Sequence, residues 1–445
     1  MAKDMTRGSI AGTLVSFSVP LILSGLLQQL FNWVDAFIVG NAEGESALAA
    51  IGSSTSVYNL LIMIIVGFTS GLSVLSAQQY GMGEKARLHK TLSSFSVLLG
   101  GLFLILSVTG ILFSPQILRF LDTPESIAKT ANEYLRIMFI GVPLLAVYNS
   151  YTSVLRGLGD SRAPFLSILV SSIANAGLDI LLVAVLPYGA AGAAAATVFA
   201  QAAMTVFIVI YTMKKYPYLK FSLKGGAVDR AVLSKGVRFG LPPAIQSGTG
   251  SLGNMLLQRF MNGFGPQTVA AITTAYRVDS MIILPLVNFG SGIATIVAQN
   301  IGAGNNARAK KTLKTGMLMM AGVSVFLTVT VLFFGEYLIG LFGLTQESVK
   351  IGGDFFRLIA IFYFVFGLAT AIRGYLEGRG DMLFSGAAGI AALLVRIAAS
   401  YLLADSLGNM VIAVAEAISW VMLLVVYGAR AFVKMGKDKT GKNFK

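Results

Sequence analysis

The sequence predicts an all-α polytopic membrane protein, with twelve transmembrane helices in two pseudo-symmetric six-helix bundles around a central cavity. Three observations lead to this fold class. The 445-residue chain is 55% hydrophobic and only 12% charged, whereas soluble domains carry about 25% charged residues. Twelve apolar segments are long enough to cross a hydrocarbon core, which needs about 20 helical residues. The second half of the chain also repeats motifs of the first half.

The twelve apolar segments are separated by short polar connections. They lie near residues 14–38, 48–80, 92–113, 132–155, 163–186, 190–213, 237–261, 267–300, 314–335, 352–372, 383–404 and 408–430. The N-terminal sequence MAKDMTRGSIAG runs into the first segment without a small-residue cleavage site, so we expect no cleavable signal peptide.

Basic residues are distributed unevenly between the two sides of the predicted membrane. With both termini in the cytoplasm, the tails and inner connections hold 26 Lys and Arg residues and the outer connections hold three, Arg119, Lys129 and Lys350. This positive-inside bias fixes the expected topology. It predicts a multi-pass plasma-membrane protein with cytoplasmic termini, and it explains the net charge of +14 without a nucleic-acid partner.

An internal repeat divides the chain. Residues 77–92, AQQYGMGEKARLHKTL, align with residues 298–313, AQNIGAGNNARAKKTL, and the same offset of 221 places RGLGD (156–160) on EGRGD (377–381). Because six spans per copy is an even number, both copies enter the membrane in the same orientation. The predicted parts are an N-terminal lobe (1–213), a cytoplasmic inter-lobe linker (214–236), a C-terminal lobe (237–433) and a basic cytoplasmic tail (434–445).

Several function classes lack the residues that they need. There is no GxxxxGK[ST] phosphate loop for ATP, and GMGE and GAGN follow membrane helices, which predicts inner turns. His89 is the only histidine and the chain has no cysteine. We therefore expect neither an enzyme nor a resident cofactor.

Acidic residues inside membrane spans are the strongest functional signal, because an intramembrane carboxylate is costly and functional by default. Four of them fall in the outer half of the membrane or near its middle: Asp35, Asp179, Asp279 and Glu416. Asn175 lies one helical turn before Asp179 and therefore on the same face, and Thr197 is at comparable depth on the next helix.

Asp35, Asn175, Asp179 and Thr197 form a predicted cation-coupling cluster. Their oxygens suit a hard cation such as Na⁺, and two neighbouring carboxylates would equally hold a proton. These residue types are compatible with either Na⁺ or H⁺, because the same oxygens bind both. The alternative is that the two acids only hydrogen-bond to neighbouring helices.

The second repeat lacks this cluster. At offsets of 221–222, Asp35 aligns with Leu257, Asn175 with Arg396 and Asp179 with Ser400. We therefore expect the cation site in the N-terminal lobe. Arg396 either forms an ion pair with Asp279 or Glu416 or mimics a permanently bound cation.

Other residues are candidates for substrate binding and for helix bending. Pro20 removes a backbone hydrogen bond from the first helix, so it predicts either a hinge or a static bend. Flexible Met and aromatic side chains suit an adaptable apolar cavity, although they are equally typical of packing. The residues predicted to line a substrate cavity are Phe31, Tyr58, Met63, Met255, Gln258, Asp279, Met281, Arg396 and Glu416.

Taken together, the motifs resemble those of the multidrug and toxic compound extrusion (MATE) transporters over nearly the whole chain. They are P…QQLFNWVDAFIVG, AQQYGMGEKAR, RGLGDSRAP, N-x3-D in the fifth helix and AQNIGAGNNAR. The resemblance implies alternating-access export coupled to Na⁺ or H⁺, with Asp35 as the coupling aspartate, Asn175, Asp179 and Thr197 beside it, and Pro20 as the bending proline. The family often has Tyr where this chain has Phe31.

The leading hypothesis is therefore secondary active multidrug efflux, in which cationic or amphipathic small molecules leave in exchange for Na⁺ or H⁺. The expected partners are small-molecule substrates and membrane lipids, with no nucleic acid, and the expected state is a monomer. A lipid-linked or polysaccharide flippase of the same superfamily is the alternative. A membrane scaffold would leave the repeat and the intramembrane acids unexplained, and a channel would need a continuous polar pathway, which is not visible in these spans.

Overall fold

The computed structural model describes residues 3–186, 188–221 and 228–439 and contains no strand within them. Among these residues, nine single helices and two bent helix pairs are long and apolar enough to cross a membrane. The remaining span is the more polar helix Arg230–Asn262. The prediction of an all-α protein with twelve transmembrane helices is confirmed.

The twelve helices are numbered here in chain order. They are α1 Ile10–Gly40, α2 Ser46–Gly81, α3 Lys85–Phe120, α4 Glu125–Gly157, α5 Arg162–Asp179 with its π-helical continuation Ile180–Val185, α6 Gly189–Lys215, α7 Arg230–Asn262, α8 Pro266–Ile282 and Leu284–Gly302, α9 Asn306–Gly340, α10 Gln346–Ile361 and Tyr363–Gly378, α11 Met382–Leu402 and α12 Val411–Lys439. Short helices lie at Pro217–Leu219, Ala404–Leu407 and Gly408–Met410.

Two of these helices, α8 and α10, are bent, and two others, α1 and α2, are joined without a break. The halves of α8 meet at 41° and those of α10 at 48°. Helices α1 and α2 belong to one uninterrupted run, Ile10–Gly81. In that run Leu48 packs against Gly40, although eight helical residues should separate them by about 12 Å. The run therefore turns back on itself between the two spans.

Contacts divide the chain into two compact units that do not follow the chain order strictly. Among the described residues, the first unit contains Lys3 and the range 23–244, and the second contains the ranges 4–22 and 245–439. The prediction placed the whole first apolar segment (14–38) in the N-terminal lobe and the whole seventh segment (237–261) in the C-terminal lobe. In the structure the beginning of α1 packs in the second unit and the beginning of α7 in the first. Residues 222–227 of the predicted linker and 440–445 of the predicted tail lie outside the described residues.

Helices α1 and α7 each begin in one unit and end in the other, and each carries proline just before that boundary. Pro20 precedes the boundary in α1, and Pro242 and Pro243 precede the boundary in α7. A proline inside a helix removes one backbone hydrogen bond and weakens the helix locally. The bending role predicted for Pro20 stays a prediction, since the helix continues through this residue.

The second-repeat motif AQNIGAGNNAR holds the chain just before α1. The Met5 side chain is fully buried, and its backbone N–H donates to Gln299 Oε1 at 3.0 Å. The Met5 carbonyl accepts from Asn300 Nδ2 at 3.2 Å and from Arg308 Nε at 3.3 Å. Because buried backbone groups need partners, these side chains fix the entry into the first helix.

The first glycine of RGLGD and of EGRGD marks a close approach between helices. A Cβ on Gly157 would lie 2.7 Å from the Ser73 carbonyl oxygen, and a Cβ on Gly378 would lie 2.6 Å from the Ala294 carbonyl oxygen. Ser73 and Ala294 are themselves separated by the repeat offset of 221. Both units therefore use the same glycine contact to pack their fourth helix against their second.

The aspartate of RGLGD joins the end of α4 to the end of α6. Asp160 accepts hydrogen bonds at Oδ2 from Tyr211 at 2.9 Å, Lys215 at 3.0 Å and Tyr216 at 2.6 Å. Burial alone would raise the pKa of Asp160, but the hydrogen bonds from Tyr216 and Lys215 outweigh it and hold the pKa below its usual value. Asp160 is therefore an ionised anchor for α6.

The aspartate of EGRGD has the same role in the second unit. Asp381 accepts from Arg430 Nε at 2.8 Å and pairs with Lys434 Nζ at 3.4 Å, both on α12. The preceding glycines, Gly159 and Gly380, have φ of +80° and +87°, which side chains with a Cβ rarely adopt. Both glycines and the aspartate of the shared GxGD pattern thus have a structural reason.

We expect Asp160→Asn to lower the unfolding temperature at neutral pH, because Lys215 loses its counter-ion. Removing one partner of a buried ion pair costs about 3 kcal/mol. Since the folded pKa of Asp160 is depressed, its contribution is complete above the unfolded pKa of about 4 and is lost as the pH falls towards the folded pKa. Thermal unfolding in detergent should show the difference shrinking on acidification. A constant difference, or an equal effect from Asn at the exposed Asp405, would contradict this assignment.

Candidate cation-binding site

The structure brings the predicted coupling residues together inside the first unit. Asp35 lies in the part of α1 that belongs to the first unit. Asn175 and Asp179 lie on α5, and Thr197 lies on α6. The side chains of Asn175 and Asp179 are both fully buried. Because these elements belong to one compact unit, their geometry is described within it.

Helix α5 changes its winding directly after Asp179. The next six residues, Ile180–Val185, form a π-helix, whose last turn closes with Leu186 N–H donating to the Leu181 carbonyl at 2.8 Å. Single π-helical turns occur frequently at functional sites, where they redirect a side chain. The irregular winding thus begins directly after one of the acids predicted to bind the cation.

The carboxyl groups of Asp35 and Asp179 are in hydrogen-bonding contact with each other. An ionised carboxylate can only accept hydrogen bonds, so two ionised groups this close would repel each other, and a proton or a cation between them would relieve the repulsion. One oxygen on each side, Asp35 Oδ1 and Asp179 Oδ1, is buried without a hydrogen-bond partner. The pair therefore has the oxygen atoms and the negative charge to hold a proton or a small cation.

Asn175 connects this carboxyl pair to α6. With its amide oriented to satisfy both sides, the nitrogen donates to Asp179 Oδ2 at 2.5 Å and the oxygen accepts from the Thr197 backbone N–H at 3.1 Å. The opposite orientation leaves a 3.4 Å contact from the nitrogen to Thr197 Oγ1 and turns the amide oxygen towards a carboxylate. We adopt the first orientation because it satisfies the hydrogen-bond network.

Two further polar residues extend the cluster, and the sequence analysis did not single them out. Gln201 donates to the Tyr58 hydroxyl at 2.6 Å, and its Oε1 is buried without a partner. The buried Tyr134 lies near enough to Asp35, Asp179 and Tyr58 to interact electrostatically. Gln201 follows Thr197 by one turn, so the i, i+4 rule that joined Asn175 to Asp179 would also have found it.

The second unit holds a separate polar network. Arg396 on α11 pairs with Glu416 on α12 at 3.0 Å, and Tyr276 on α8 donates to Glu416 Oε2 at 3.1 Å. Asp279 accepts a hydrogen bond from Tyr363 on α10. Asp279 and Glu416 were the two partners predicted for Arg396, and the ion pair forms with Glu416. The ion pair does not by itself decide whether Arg396 also acts as a fixed cation.

The remaining predicted cavity residues join neither network. Met63 and Met255 are exposed, with 44% and 53% of their surface accessible. Phe31 and Met281 are half-buried, and the exposed Gln258 donates to Asn262 Oδ1 at 3.0 Å. Their substrate-binding roles stay predictions.

An open pocket of about 590 Å³ lies at the junction of α7 and α8 in the second unit. None of the predicted cavity residues lines it. Its lining residues are Asn262, Gly265, Pro266, Val269, Ala270, Thr273, Thr274 and Arg277.

Comparison with known proteins identifies the family. A family model described as MatE matches residues 20–181 and 242–402, which correspond to the two repeats. The chain belongs to the MatE family. The probable multidrug resistance protein YoeA of Bacillus subtilis (strain 168) is 30% identical, over 99% of this chain and 97% of that protein. The resemblance to MATE transporters inferred from the motifs is confirmed.

Other MatE relatives and solved structures agree with this assignment. The probable multidrug resistance protein YpnP of Bacillus subtilis (strain 168) is 31% identical over 86% of this chain and 85% of that protein. A solved structure, described as the outward-facing conformation of a multidrug resistance MATE family transporter of the MOP superfamily, superposes with a TM-score of 0.92 at 20% identity, over 99% of both chains. At that identity the structure supports the fold alone.

Proposed function

We propose that this MatE protein is a secondary active multidrug exporter of the plasma membrane, with both termini in the cytoplasm. It works by alternating access and exchanges cationic or amphipathic small molecules for a cation. The names of its relatives support drug export, since YpnP and YoeA are described as probable multidrug resistance proteins. A further relative, 24% identical over 84% of this chain and 83% of its own length, is the multidrug export protein MepA of Staphylococcus aureus (strain MSSA476).

The contact between the Asp35 and Asp179 carboxyls is the observation on which this proposal rests. Two buried carboxyl groups in contact repel each other when both are ionised, and the repulsion is relieved by one proton or one cation. Binding of the coupling cation therefore changes the charge of the first unit by one. That change supplies the differential free energy that any conformational switch requires.

Of the two possible cations we favour a proton as the occupant, because one proton shared between the two carboxyl groups suits their close approach. The amide of Asn175 donates to Asp179 Oδ2 and so fixes one carboxyl while the other exchanges its proton. Na⁺ is the competing occupant, and its ligands would be the same oxygens together with Thr197 Oγ1.

Purified protein in liposomes loaded with a fluorescent cationic dye tests the proposal and separates the two ions. We expect an inward pH gradient in Na⁺-free buffer to accelerate dye efflux, and a protonophore to abolish the acceleration. An inward Na⁺ gradient at constant pH should have no such effect. Acceleration by Na⁺ alone would overturn the choice of proton, and efflux that ignores both gradients would overturn cation coupling altogether.

A further inference from the structure

Equivalent helices of the two repeats differ in charge, with an acidic residue in the first repeat and a basic residue in the second. On α5 of the first unit Asn175 and Asp179 belong to the carboxyl cluster, and the aligned positions on α11 are Arg396 and Ser400. The next helix of each repeat supplies the partner. In the first unit α6 offers Thr197 to Asn175, and in the second unit α12 offers Glu416 to Arg396.

The ion pair between Arg396 and Glu416 in the second unit is internally satisfied. The side chains of Arg396 and Glu416 are only 17% and 10% exposed, and they pair at 3.0 Å. Arg396 Nη2 also donates to the Tyr276 hydroxyl at 2.7 Å. The groups that face this ion pair from the packed helices are Tyr276 and Asp279 on α8 and Tyr363 on α10, of which Tyr363 donates to Asp279.

The cluster of the first unit is not satisfied in this way. Its two carboxyl groups, Asp35 and Asp179, each keep one buried oxygen without a partner, and none of the described residues hydrogen-bonded to them is basic. A buried carboxylate needs a positive partner or a proton. The first unit must take this positive charge from solution, while the second unit has it in its own sequence.

We propose that Arg396 is a built-in cation, which replaces in the second unit the coupling cation that the first unit binds and releases. The inference rests on the proposed coupling at Asp35 and Asp179. A guanidinium group stays protonated at all physiological pH values, so the Arg396–Glu416 pair remains charge-balanced without an ion from solution. The exchangeable cation site at Asp35 and Asp179 then has no exchangeable counterpart at Arg396 and Glu416.

The test counts protonated carboxyl groups in protein whose first unit is silenced by Asp35→Asn and Asp179→Asn. Infrared spectroscopy of the carboxyl C=O band at neutral pH should show one additional protonated carboxyl when Arg396→Asn is added to this background, because Glu416 then takes a proton in place of the lost guanidinium. Arg396→Lys should add none. The background makes the result independent of whether the first unit couples transport.

A second variant covers the case in which Arg396→Asn does not fold. Arg396→Asn combined with Glu416→Gln removes both charges, so the built-in cation is no longer needed, and we expect this double variant to fold and to show no additional protonated carboxyl. An Arg396→Asn protein that folds with an unchanged carboxyl band would overturn the proposal. Failure of both the single and the double variant to fold would also overturn it, because Arg396 would then act through packing rather than charge.

Discussion

Asp35→Asn is expected to reduce gradient-driven dye efflux by about tenfold or more, within the range of typical coupling free energies between sites. Asparagine keeps the size of the side chain and resembles the protonated carboxyl, but it cannot release or rebind a proton. The first unit would then be held in one charge state, and the gradient would have no differential effect on its two conformations. Initial rates of dye efflux from liposomes under an inward pH gradient measure this directly.

Asp354→Asn provides the matched control for this substitution. Asp354 pairs with Arg357 at an exposed position, where 43% of the Asp354 side chain is accessible. Exposed ion pairs contribute about 0–1 kcal/mol, so the same chemical change should leave both efflux and stability nearly unaltered. If Asp35→Asn extrudes dye as fast as Asp354→Asn, the assignment of Asp35 as the coupling residue is wrong.

Gly71→Ala is expected to cause the largest loss of stability among single methyl additions in the first unit. A Cβ at Gly71 on α2 would lie 2.1 Å from the carbonyl oxygen of Phe239 on α7 and 2.8 Å from the Cα of Gly240. Backbone atoms cannot rotate aside as a side chain can, so the two helices must separate. Overpacking of a close contact costs about 1–3 kcal/mol, and we expect the upper end of this range.

Gly101→Ala on α3 is the control, because a Cβ there meets no atom within 4 Å. Alanine in a helix interior is more favourable than glycine by up to about 1 kcal/mol, so this variant should be as stable as the parent or slightly more stable. Thermal unfolding of both variants in the same detergent gives the comparison. Equal unfolding temperatures would show that α2 and α7 do not pack as closely as described.

The sequence was sufficient to predict the helices but not all of their packing partners. Spans are visible because lipid requires long apolar helices, and the repeat is visible because RGLGD and EGRGD keep the glycine that each helix contact needs. The packing of residues 4–22 in the second unit was not predictable in this way. Hydrophobicity shows that a segment is buried or lipid-facing, but it does not show which apolar neighbour the segment prefers.

The candidate site was predictable where a single helix carried the signal. Asn175 and Asp179 share a face of α5, and an isolated intramembrane acid such as Asp35 is conspicuous. The π-helical turn after Asp179 has no such signature, because its residues, ILLVAV, are ordinary apolar residues. Arg396 pairs with Glu416 and not with Asp279 because of side-chain geometry between two helices. Residue spacing along the chain does not predict this geometry.

The exchange of helix ends between the two units also constrains biosynthesis. The first hydrogen bond that anchors Met5 joins it to a residue 294 positions later. At a translation rate of about 5–20 residues per second, roughly 15–60 s pass before this partner is made. During that interval the start of the first helix must rest against lipid or the insertion machinery. The second unit thus includes the earliest part of the nascent chain, so the second half of the protein alone does not supply all of its residues.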